Sequence, residues 1–392
     1  MDEQPLDVLF PEGGRLLLTG GGKEFVERIG IAATRRAVLA VLMGDNLRAQ
    51  TEPLTRRRIT QLSAALVALF AHGWRQFADF SDRLSPLAVE RINSGAKGDK
   101  AGVWIAQWLI GLTGKSVQNV LRSNPQALDA YVADFEAAID EAAEESRKSI
   151  GEIQMTLGFV QDASGQRIAL GWKDISRLMT AIGSMTLTIR GSDKSIYGKL
   201  FERLVLGSVL SILDFERVNP VTNDKDSRVF WLSDSSDARE SDATILVKPG
   251  QLARFDIGFI GPGNSEISKD KLTRYAREIE IGKNRHSSRT YIIVDRLPDT
   301  SKTRQVAEKV GAEIVQMSLR FWPRDLAKRL CSQFDYQHDL AEMSDAEISG
   351  YLASRLEEIP IQEFVAGMDS DISQHSIAEE KEEYDSYQSA LF

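Results

Sequence analysis

Two aspartates fourteen positions apart, Asp242 and Asp256, carry the strongest chemical signal in the chain. Asp242 opens a segment rich in β-formers that runs to Lys248, and Asp256 lies in the apolar run Arg254 to Ile260, between Phe255 and Ile257. Pro249-Gly250-Gln251 between them reads as a turn. Neighbouring antiparallel strands bring such side chains within several ångströms of each other. A carboxylate between apolar neighbours is costly unless it is paired or bound to a cation. Two carboxylates on adjacent strands form a hard-oxygen site suited to Mg²⁺. That ion can polarise a phosphodiester and activate a water. The structural alternative is that Asp242 caps the start of its strand and Asp256 joins an ion pair.

The next element adds to the set. After the turn Gly261-Pro262-Gly263-Asn264, the residues Glu266, Lys269 and Lys271 stand at the mouth of a helix expected over Ser268 to Ile281. They can reach back over the end of the Asp256 strand. Glu266 is a third candidate metal ligand. Lys271 can orient an attacking water or steady phosphorane charge, and Lys269 and Arg274 can meet DNA phosphate; a solvated helix face is the plain alternative for all three. Glu202 sits inside the amphipathic helix Ile196 to Leu213, whose stripe is Leu200, Leu204, Val205 and Val209. It is a further candidate ligand or an ordinary exposed glutamate.

These residues need a scaffold. Periodicity predicts a mainly helical domain over residues 1–190, DNA-contacting or dimerising, with a helix over Glu24 to Met43, one opened by Thr55 and ending near Gln76, and one over Gln126 to Ser149. Residues 191–335 then read as helix, three strands, helix and strand, ending in a helix over Ser301 to Val310 and a strand at Glu313 to Met317. The expected fold class is mixed α/β, a mixed sheet flanked by helices. Residues 336–392 form an acidic extension, expected to be partly disordered.

Charge distribution permits a polyanionic partner. The net charge is −9, but Asp339 to Phe392 holds 14 acidic and 2 basic residues, which leaves +3 on residues 1–338. The densest basic cluster is Arg35, Arg36, Arg48, Arg56, Arg57 and Arg58. Guanidinium groups suit phosphate and the guanine major-groove edge, although Thr55 as a helix cap would make the last three a charged first turn.

Other classes are disfavoured. The single cysteine, Cys331, allows no internal disulfide and points to the cytoplasm. No apolar run approaches the roughly 18 residues of a membrane span. The four histidines, His72, His286, His338 and His375, have no metal-ligand spacing. Gly20-Gly21-Gly22-Lys23 is followed by Glu24 where a phosphate loop needs Ser or Thr. Trp104 and Trp108, four apart, read as core.

The ordered set of helical Glu202, then Asp242, Asp256 and a lysine resembles the PD-(D/E)XK nuclease pattern. It departs where Gly258 stands two residues after Asp256, so the resemblance moves the lysine role to Lys271 or Lys269. A register using Asp256 and Glu266 meets Ser268 instead. More narrowly, Glu240-Ser241-Asp242-Ala243-Thr244, the run from Arg254 to Lys271, Arg277-Glu278-Ile279-Glu280-Ile281-Gly282, and the stretch Gly22 to Thr55 with Asn46-Leu47-Arg48 are similar to the CfrBI-type restriction endonucleases. The similarity spans most of residues 15–330. It implies a Mg²⁺-dependent homodimer that cuts double-stranded DNA at a short palindrome of the form CCWWGG, leaves a 5′-phosphate, and has a cognate DNA methyltransferase as its genetic partner. Two other readings remain open: a non-catalytic DNA binder that has lost its lysine at Gly258, and a helical scaffold with structural acids.

Overall fold

The computed structural model describes residues 5–94, 100–114, 116–117, 127–158, 167–233, 241–259, 287–295 and 312–368. The chain divides into two units. Of the described residues, one contains those up to Gly20 and Thr55–Lys194; the other contains Gly21–Leu54 and those from Ser195 onward.

The first unit is mostly helical. The helix Lys100–Leu109 is mostly apolar and mostly enclosed, with Trp104 and Trp108 both buried. Trp108 satisfies its one polar atom by donating to Thr188 Oγ1 at 3.0 Å. Phe80 packs edge-on against Phe70 and Trp74. Gly73 makes this approach possible, because a Cβ there would enter the Phe80 ring. Gly73→Ala is therefore expected to destabilise the protein by about 1–3 kcal/mol through overpacking; the shift of the urea midpoint measures it. A short hairpin, β1 (Met155–Gly158) and β2 (Arg167–Leu170), interrupts the helices.

Three helix boundaries differ from the periodicity reading. The run expected over Glu24 to Met43 is two helices, Gly22–Ile29 and Ile31–Leu42, split at Gly30. Gly30 has φ 111°, a region open to glycine and strained for other residues. The second helix starts at Leu47, not Thr55, and carries Pro53 inside it. Pro53 costs one backbone bond, and Leu47 and Leu54 on either side of it are buried. Thr55 is thus a buried interior residue and caps nothing. The expected helix at Ile196 is the second half of one helix, Trp172–Ile212.

The second unit is built on a six-stranded mixed sheet: β3 (Glu216–Arg217), β4 (Val229–Leu232), β5 (Ala243–Lys248), β6 (Gln251–Gly258), β7 (Ser287–Val294) and β8 (Ala312–Gln316), in that spatial order. The pairs β4–β5 and β5–β6 are antiparallel, whereas β6–β7 and β7–β8 are parallel. The β5–β6 reversal runs through Pro249-Gly250, with Gly250 at φ 81°. One face carries Phe230, Ile245, Phe255, Tyr291 and Val315, all buried. Phe255 and Tyr291 stack at 5.2 Å, and Tyr291 donates to Gln333 Oε1 at 2.8 Å on the helix Trp322–Gln333.

Residues 336–368 complete this unit with a 3₁₀ turn, Asp339–Ala341, the helix Asp345–Glu358 and a second 3₁₀ turn, Ile361–Val365. Lys23 pairs with Glu363 at 2.6 Å and Arg35 with Glu357 at 3.2 Å. His338 is enclosed, accepts the Leu340 N–H at Nδ1, and faces Asp214 at 3.4 Å with its other nitrogen. Burial lowers its pKa from the usual histidine value. The helices expected at Ser268 to Ile281 and Ser301 to Val310, and the tail after Met368, lie outside the described residues. Among the described residues no helix is long and apolar enough to cross a membrane.

Candidate active site

The β5–β6 register pairs Ala243 with Phe255 and Thr244 with Arg254. Continued one step outward, it sets Asp242 opposite Asp256. Directly opposed residues share a face of the sheet and their Cβ atoms lie about 4.5–5.5 Å apart. The two carboxylates therefore project together from the less buried face, and both are half-buried. The opposite face is the core of Ala243, Phe255 and Ile257. On the carboxylate face the neighbours Thr244, Thr290 and Ile292 are themselves buried, so the two acids stand at the end of a largely covered surface.

Asp242 is oriented from across the strand pair. Its Oδ2 accepts the Ile257 N–H at 2.7 Å, a charge-assisted bond to the main chain one residue after Asp256 and the bond that a strand cap makes. The strand continues from Asp256 through Ile257 to Gly258, which is buried and opposite Val294. No ammonium can project from that position.

Glu202 is half-buried on the helix Trp172–Ile212. Its neighbour Arg203 donates to the Ser233 carbonyl at 2.8 Å and to the Phe364 carbonyl at 3.0 Å. Ser233 N–H in turn donates to the Asp242 carbonyl at 3.2 Å. The helix bearing Glu202 is thereby connected to the strand that begins at Asp242. Glu266, Lys269, Lys271 and Arg274 lie outside the described residues. Among the described residues no group of three or more His, Cys, Asp or Glu side chains is arranged to hold a metal. The donor set in view is a pair. A pair suits Mg²⁺, which commonly takes one or two protein carboxylates and completes its shell with water and substrate phosphate.

The basic cluster divides on folding. Arg36, Arg48, Arg56 and Arg57 are exposed. Arg35 spends its guanidinium on Glu357 and on the Ile359 carbonyl at 3.1 Å. Arg58 is 0 % exposed, pairs with Asp193 at 2.5 Å and donates twice to the Leu17 carbonyl, at 3.1 and 2.8 Å. The expectation that Arg58 meets DNA is corrected: its charge is neutralised inside the first unit.

Sequence reasoning missed two polar residues near this edge. Asn46 accepts the Arg48 N–H at 2.9 Å, as a helix cap does, and donates to Asp295 at 3.1 Å just past the end of β7. An asparagine before an apolar helix start was the available signal. Arg203 had none, because its acceptors are main-chain carbonyls 30 and 161 residues away.

The sequence model of the CfrBI restriction endonuclease family matches residues 32–302. Over 346 residues, 87% of this chain and 93% of the relative, the chain is 31% identical to the type II restriction enzyme CfrBI of Citrobacter freundii. No solved structure matches.

Proposed function

Because the chain belongs to the CfrBI restriction endonuclease family and is a homologue of a site-specific deoxyribonuclease, we propose that it hydrolyses double-stranded DNA in a Mg²⁺-dependent reaction at a short palindrome of the CCWWGG kind. The observation that carries the reaction chemistry is the opposition of Asp242 and Asp256 across β5 and β6, with Asp242 tied to the Ile257 N–H. These two carboxylates would hold Mg²⁺, with Glu266 or Glu202 completing the set directly or through water. The ion supplies Lewis acidity toward the scissile phosphate and lowers the pKa of the attacking water.

The remaining steps fall to the chain's own groups. The carboxylates bind and orient; the apolar face behind them excludes water from the back of the sheet. Lys271, or Lys269, positions the attacking water in the role that Gly258 leaves open. The leaving 3′-oxygen departs and the 5′-phosphate remains. Exposed Arg36, Arg56 and Arg57, with Lys269 and Arg274, meet DNA phosphates, and residues 1–190 form the DNA-contacting or dimerising part. A homodimer presents one such site to each strand, which suits a two-fold symmetric target, and a cognate methyltransferase protects the host's own sites.

The test is a digest of unmethylated phage DNA by the purified protein with Mg²⁺ or with EDTA. Discrete fragments with Mg²⁺ alone are the expected result, and mapping their ends gives the site. A smear would remove the site specificity. Intact DNA across several metals and salts, with binding retained, would overturn catalysis.

A further inference from the structure

We propose that Arg203 is a positioning residue for this reaction: its guanidinium ties the main chain leading to Asp242 to the helix bearing Glu202, and ties both to the C-terminal strap at Phe364. The inference rests on the reading of Asp242 as a metal-holding carboxylate.

The bonds form a continuous path. Arg203 Nη1 donates to the Ser233 carbonyl at 2.8 Å, and Ser233 grips the start of β5 twice, through its N–H to the Asp242 carbonyl and through its Oγ to the Ser241 carbonyl. Asp242 then accepts from Ile257, the residue after Asp256. Arg203 Nε donates in the other direction, to the Phe364 carbonyl at 3.0 Å. The strap is held independently: Arg217 donates to the Glu363 carbonyl and lies 6.0 Å over the Phe364 ring, and Phe364 tilts against Phe230 at 6.2 Å. Gly207, one turn beyond Arg203, lets the ring sit on the helix, since a Cβ there would enter it.

A planar guanidinium fills two divergent acceptors in fixed geometry, whereas an ammonium on a flexible stem is a point charge. Arg203→Lys keeps the charge and releases the geometry. A misplacement of about 1 Å of a reacting group costs on the order of 10²-fold in rate, so holding Asp242 in register with Asp256 is worth that much to turnover.

The experiment compares full-length wild type, R203K, G207A and D242N. Mn²⁺ serves as the metal probe, with free ion read by electron paramagnetic resonance, alongside kcat and KM for DNA and the thermal midpoint. R203K is expected to weaken Mn²⁺ binding roughly tenfold and to lower kcat on the order of 10²-fold, with KM and the midpoint near wild type. G207A, which displaces the strap without touching a charge, is expected to shift Mn²⁺ binding in the same direction. A lowered midpoint with wild-type Mn²⁺ affinity in both variants would make Arg203 merely structural and overturn the proposal. If D242N itself binds Mn²⁺ as wild type does, the carboxylate assignment has failed instead; if D242N loses the ion while R203K and G207A keep it, only the Arg203 inference falls.

Discussion

Asp256→Ala is expected to reduce DNA cleavage by at least about 10³-fold, the equivalent of roughly 4 kcal/mol of lost electrostatic stabilisation, while leaving DNA binding in EDTA intact. The physical ground is the position of Asp256 directly across from Asp242, on the half-buried face of the hairpin. Two like charges directly opposed on adjacent strands oppose folding by up to about 1 kcal/mol. Asp256→Asn keeps the shape and removes the charge, so it is expected to lose activity while its thermal midpoint in EDTA stays near that of the wild type. That combination separates the functional role from the structural one. Were Asp256 a salt-bridge partner, the same variant would melt earlier and still cut. Normal cleavage by either variant would remove Asp256 from the mechanism.

The second large effect concerns stability. Arg58→Ala is expected to cost about 3–5 kcal/mol, because it leaves Asp193 as a buried charge without its partner. The Leu17 carbonyl loses both of its guanidinium donors in the same step. Chemical denaturation followed by circular dichroism measures the change. The DNA readout discriminates sharply between neighbours on one helix. Exposed Arg57, changed to alanine, is expected to lower the slope of log affinity against log salt by about 0.9, the value of one phosphate contact, with little change in stability. Arg58→Ala, assayed at a temperature where it remains folded, is expected to leave that slope unchanged. A reduced slope for Arg58→Ala would show that the buried pair opens onto DNA.

Local pattern made much of the six-stranded sheet legible. The β-rich run after Asp242, the Pro-Gly turn and the apolar run around Asp256 form the hairpin β5–β6, and the buried run Thr290 to Val294 belongs to the parallel strand β7. A hairpin is short-range, and its two-residue periodicity and turn chemistry are written in adjacent residues. The same rules misplaced the helix that begins at Leu47, because Thr55 reads locally as a cap whereas it lies buried inside the helix. Gly30 sent a signal too, since an isolated glycine inside a helical pattern marks a possible break, but the apolar spacing on both sides masked it.

Residue order alone determined that Asp242, the Pro-Gly turn and Asp256 belong to one hairpin, because each of those features is a property of a few neighbouring residues. The fate of the arginines was decided only in the tertiary structure. Arg56, Arg57 and Arg58 are consecutive and chemically identical, yet the helical turn of 100° per residue leaves two in solvent and carries the third inward to Asp193, 135 positions away. Arg203 is likewise unremarkable until the chain returns at Ser233 and Phe364 to offer it two carbonyls. A charge's partner is set by what the fold brings within 3 Å of it, and no stretch of local sequence holds that information.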